Sequence, residues 1–105
     1  RCGNNCQNSV NWTPRTIATG AAGGVNQLDV SIDSLQRARI VFRTVSGTLD
    51  SAIEQGDAGY LIAPVPGCGP AFNGALPVPL VTDGGQLGVV FHQSASRDVR
   101  FYLTP

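Results

Sequence analysis

Apolar and polar residues alternate with a period of two along much of this chain. Leu28, Val30 and Ile32 alternate with polar partners, and Ala38, Ile40 and Phe42 alternate with Arg37, Arg39 and Arg43. Val99, Phe101 and Leu103 repeat the pattern near the C-terminal end. A period of two puts successive side chains on opposite faces of a half-buried strand, so each segment is predicted to be β. Tyr60 to Val65 is a short apolar run whose Pro64 predicts a strand end or a sheet edge. The clearest hairpin runs from Val78–Val81 through the turn Thr82-Asp83-Gly84-Gly85 into Leu87–His92.

One stretch reads as a helix. Thr13 is placed to cap it, Pro14 suits the first helical position, and Trp12 can staple onto Ile17. Gly23-Gly24 would end it, and Gly20 weakens it. Residues 2–12 read as an extended or hairpin-like start. Ser51-Ala52-Ile53-Glu54 has the spacing of a capping box, with Gly56 placed to stop a single turn. The expected fold is therefore α+β, one short N-terminal helix packed on an antiparallel sheet. At 105 residues the whole chain, 1–105, is expected to be a single domain.

Composition narrows the chemistry. Thirteen glycines and seven prolines favour turns and short elements. Seven basic residues, all Arg, balance seven acidic ones, which argues against a strongly basic nucleic-acid binder. No apolar run approaches the ~20 residues of a membrane helix, so no membrane partner is expected. The chain opens Arg1-Cys2-Gly3 without any Met and reads as a mature, processed product.

Arg37, Arg39 and Arg43 share a strand face, where neighbours two apart stand about 6.6 Å from each other and could engage adjacent phosphates. A solvated outer face carries such charges by default, and Asp29 and Asp33 could neutralise part of the patch. Tyr60 and Tyr102 are candidates for stacking on bases, against the commoner role of half-buried packing. The Gly-rich turns at 67–70 and 83–85 precede no helix with a Lys and Ser/Thr, so they are turns and not phosphate loops.

Cys2, Cys6 and Cys68 do not have zinc-site spacing, and neither a metal nor a cofactor is expected. Two cysteines within six residues suit a disulfide that ties down the N-terminus. Cys2–Cys68 or Cys6–Cys68 would close about 60 residues and add roughly 4 kcal/mol, Cys2–Cys6 less. One thiol is left over in every pairing. A secreted protein is expected, and the sequon Asn11-Trp12-Thr13 is consistent with that.

The segment Gln86-Leu87-Gly88-Val89-Val90-Phe91-His92-Gln93-Ser94-Ala95-Ser96, followed by Phe101, resembles the last hairpin of the small secreted fungal guanyl-specific ribonucleases. Pro64-Val65 after Tyr60 and Gly74-Ala75 before Val78 are similar to two upstream strand segments of that family, and Cys2 and Cys6 lie near the N-terminus as in its members. The resemblance covers residues 2–24 and 60–105. It implies a microbial-ribonuclease fold in which His92 occupies the general-acid position. It also implies what is missing: Ile62 stands nearest the catalytic carboxylate, Pro77 near the phosphate-binding Arg, and Asp29 nearest the second His. Leu103 stands about where the family has a C-terminal Cys, so Cys68 becomes the implied partner of Cys6, with Cys2 as the alternative.

The leading expectation is a secreted ribonuclease-like pseudoenzyme, similar to the ribonuclease-like effectors of plant-pathogenic fungi, binding RNA or a host protein without efficient cleavage. The second is an active guanyl-preferring ribonuclease with Glu54 or Asp57 as a relocated base and Arg97 or Arg100 reaching the phosphate. The third is an unrelated small secreted β-rich binding module. A sheet lacking the expected helix across its face would favour the third.

Overall fold

The computed structural model describes residues 3–18, 28–66, 74–93 and 96–104. Among these residues, seven strands form two antiparallel meanders. The first sheet holds β1 (Leu28–Ile32), β2 (Ala38–Arg43), β3 (Leu49–Glu54) and β4 (Tyr60–Pro64), in that order. The second holds β5 (Gly74–Val81), β6 (Leu87–Gln93) and β7 (Asp98–Leu103). The two sheets pack face to face around a shared core, with β5 approaching β1 and β2 most closely.

The core lies between the sheets. Val41 and Leu49 from the first meet Leu87, Val89 and Phe91 from the second, with Val65 closing one side. Val81 and Tyr102 pack against this cluster at its margin. Pro77 and Pro79 are buried on the core side of β5. They are tolerated because β5 is an edge strand, whose outer N–H positions need no ladder partner. A bulge between Ala75 and Val78, with Leu76 at φ 52°, re-aims the strand there.

Three hairpins use one turn design. In each, a residue with a side-chain oxygen (Asp33, Thr44, Thr82) leads into the turn, and its oxygen accepts the N–H four residues on, from Arg37, Thr48 or Gln86. The fourth residue takes a left-handed conformation: Gln36 at φ 60°, Gly47 at 88°, Gly85 at 81°. Its N–H bonds back to the carbonyl of the leading residue at 2.9–3.0 Å. This is the three-residue loop that suits the right-handed twist of paired strands.

The fold corrects the α+β expectation: the described residues contain no α-helix, only 3-10 turns at Ser9–Asn11 and Gly56–Ala58. Residues 13–18 run without helical structure, and 19–24 lie outside the described residues. Local chemistry explains the miss. Pro14 biases Thr13 to extended backbone, and Thr13, Thr16 and Ile17 are all β-branched. Trp12, expected to staple a helix, instead donates its Nε1–H to the Cys6 carbonyl at 2.7 Å. The Ser51–Glu54 stretch is strand, not a helical turn. Glu54 does not cap its own segment; its Oε2 accepts the Ala38 N–H at 2.9 Å from the neighbouring strand.

Candidate functional site

Segment 13–17 lies over the outer face of the first sheet. There it closes a cavity of about 390 Å³ lined by Thr13, Pro14, Arg15 and Ile17 on one side and Glu54, Asp57 and Tyr60 on the other. The β3–β4 connection supplies the second wall. Glu54 and Tyr60 are cross-strand partners, and Asp57 sits in the 3-10 turn between them. Positive φ at Gly56 (56°) and Gly59 (90°) makes this connection tight enough to hold the three groups together. Glu54 is buried, whereas Asp57 and Arg15 are exposed. Further along, Arg15 to Ala18 meet Leu28, Ile40 and Phe42 in an apolar cleft of about 280 Å³. This cover gives a physical reason for the segment's course: Phe42, on the outer face, is only 5% exposed.

The arginine face of β2 points the other way, between the sheets. Arg39, 8% exposed, donates from Nε to Asp33 Oδ2 at 3.1 Å and from Nη2 to the Gly85 carbonyl at 3.1 Å. Arg37 donates to the same Asp33 oxygen at 2.9 Å. The Leu35 and Arg37 backbone N–H groups both bond Asp33 Oδ1 at 2.9 Å. Burial alone would raise the Asp33 pKa, but the Arg37 N–H, the Arg39 and Arg37 side chains and the Leu35 N–H together hold it at about 2, below the ordinary 3.8. Asp33 thus neutralises two of the three arginines and ties the first hairpin to the β5–β6 turn. Arg43, the third, is half-buried and engaged. On the outer face, Asp50 has its pKa raised by burial.

His92 is half-buried on the outer face of β6, opposite core-facing Phe91 and Gln93, with Ala75 and Val99 as cross-strand partners. The outward positions of this sheet carry no carboxylate and no Arg. They are Val78 and Leu80 on β5, Gly88, Val90 and His92 on β6, and Val99, Phe101 and Leu103 on β7. Glu54 and His92 therefore lie on opposite outer faces, with both sheets and the core between them. Ile62 is outward on β4, and Pro77 is buried at the β5 bulge.

Arg100 pairs with Asp98 at 3.2 Å; both are exposed, on the side of β7 opposite Val99 and Phe101. Arg97 is exposed beside it, at φ 58°. Asp29 uses Oδ1 to accept the Val30 N–H. Tyr102 packs against the core, and Tyr60 lines the cavity. Cys6 is disulfide-bonded, while Cys2 and Cys68 lie outside the described residues. Among the described residues, no three of His, Cys, Asp and Glu gather as a metal site, and no helix is long and apolar enough to cross a membrane.

The sequence brings Glu54 and Asp57 together but not their companions, because a helix over Thr13 and Arg15 would carry both away from them. The β-branched run after Pro14 is the signal that assigns them to an extended segment. Comparison with known protein families, with curated proteins and with solved structures finds no match for this chain.

Proposed function

We propose that this protein is a small secreted binding module without catalytic activity, and that it takes a neutral, hydroxyl-rich ligand, a sugar ring, in the cavity between segment 13–17 and the β3–β4 connection. One observation carries the reading: Arg15, Glu54, Asp57 and Tyr60 converge on a single cavity within the 300–1,000 Å³ range of small-ligand sites. Carboxylates accept hydrogen bonds from hydroxyls, the guanidinium donates to hydroxyl or ring oxygens, and the phenol ring offers an apolar face.

Charge supports a neutral ligand over nucleic acid. Two carboxylates face one guanidinium, so the cavity disfavours phosphate, and the chain as a whole is neutral. The disulfide at Cys6 supports secretion. That the described residues contain no α-helix on the sheet favours a β-rich module over the ribonuclease-like alternatives.

The test is an NMR titration of the labelled protein with a panel of mono- and disaccharides and with guanosine monophosphate. The expected result is sugar-dependent shifts at Arg15, Glu54, Asp57 and Tyr60. Asp57→Asn, at an exposed position, is expected to weaken binding by about tenfold through loss of a charged hydrogen-bond acceptor. A response to the nucleotide alone would replace this reading with an RNA-binding one. Silence to the whole panel would remove it.

A further inference from the structure

We propose that two copies of this chain associate through the outer face of the β5–β6–β7 sheet. Five of its side chains stand open: Val78 (45% exposed), Leu80 (50%), Val99 (74%), Phe101 (59%) and Leu103 (41%). They present on the order of 500 Å² of apolar surface, toward the upper end of what a monomer's largest patch reaches. That is most of the about 800 Å² that each partner gives a standard interface, so a copy of the same face supplies the matching area.

The face is also shaped for a sheet. A Cβ at Gly88 would meet the Phe101 ring at 2.9 and 3.1 Å, so the missing side chain lets that ring lie across β6 instead of standing off it. A level apolar sheet packs against another at about 10 Å.

Charge favours a second copy. The chain carries no net charge, so two copies meet without repulsion. The sheet is polarised end to end, with exposed Asp83 in the β5–β6 turn and exposed Arg97 in the β6–β7 turn at the other end of β6. A two-fold axis perpendicular to the strands sets the copies antiparallel and brings each Arg97 over the other copy's Asp83. An isologous contact makes every such pair twice.

The proposal is tested by analytical ultracentrifugation at about 1–100 μM. The expected species has twice the mass of one chain. Val99→Asp, at the most open position of the face, is expected to raise the dissociation constant by at least tenfold, because each interface then buries two carboxylates. Asp83→Arg and Arg97→Asp are each expected to weaken association, and the two together to restore it. Circular dichroism confirms that each variant keeps its sheet. A chain that stays monomeric at about 100 μM overturns the proposal, as does a dimer insensitive to Val99→Asp. Cosedimentation of a monomeric chain with phosphatidylcholine vesicles, lost in Val99→Asp, would assign the face to a lipid surface instead and also overturn it.

Discussion

Asp33 shows how one side chain organises this fold. It is only 3% exposed, yet it accepts four hydrogen bonds from two backbone N–H groups and two guanidinia. Folding holds its pKa at about 2 against an ordinary 3.8, so as pH falls the unfolded chain takes up the proton first. The stabilisation is therefore complete above about pH 5 and is lost as pH drops toward 2. Thermal melts across this range are expected to show Tm falling most steeply between about pH 4 and pH 2. Asp33→Asn is expected to lower Tm at neutral pH by more than about 5 °C and to flatten that fall. An unchanged acid limb in the variant would show that the slope belongs to other carboxyls. Asp50 acts in the opposite sense, since burial raises its pKa and protonation relieves a penalty. Asp50→Asn is accordingly expected to raise Tm slightly at neutral pH.

At the scale of the element, the repeated turn sets strand register. Its fourth position is left-handed, so a side chain there costs about 1–2 kcal/mol. Gly47→Ala and Gly85→Ala are each expected to lose about that much stability in urea unfolding, while Gln36→Gly is expected to be neutral or stabilising. A Gly85→Ala variant of unchanged stability would contradict this account, because no neighbour lies within 4 Å of its Cβ and backbone strain is the whole effect. The elements were legible in the sequence to different depths. The Thr82–Gly85 hairpin, the edge character of β4 and the alternation of β2 and β7 follow from period two and turn chemistry. The helix after Trp12 was a misreading because a capping residue and a Pro are compatible with an extended start too. What decides is tertiary: Phe42 needs cover on the outer face, and the extended segment through Thr16 and Ile17 supplies it. Glu54 misled in the same way, since capping-box spacing does not show that a carboxylate will reach the adjacent strand.

The layering of the whole molecule separates the groups that chemistry would need together. Alternation placed Arg37, Arg39 and Arg43 on one face and Ala38, Ile40 and Phe42 on the other, but it could not tell which face turns inward. The arginine face does, because Asp33 and the Gly85 carbonyl receive Arg39 between the sheets. Periodicity likewise put His92 opposite Val89 and Phe91 on β6, yet gave no means of seeing that Glu54 and Asp57 belong to the far side of a second sheet. Cleavage of RNA by general acid–base catalysis requires donor and acceptor within hydrogen-bond reach of the same phosphodiester. Two carboxylates and an imidazole on opposite outer faces do not meet that condition. Incubating the protein at high concentration with a GpN dinucleotide is therefore expected to give no turnover from pH 4 to 9. His92→Ala, Glu54→Gln and Asp57→Asn are expected to behave identically in that assay. If turnover is found, the pattern of loss locates it: dependence on His92 alone, or on Glu54 and Asp57 alone, would mean a site built on one face. Dependence on all three would require the two sheets to be arranged differently.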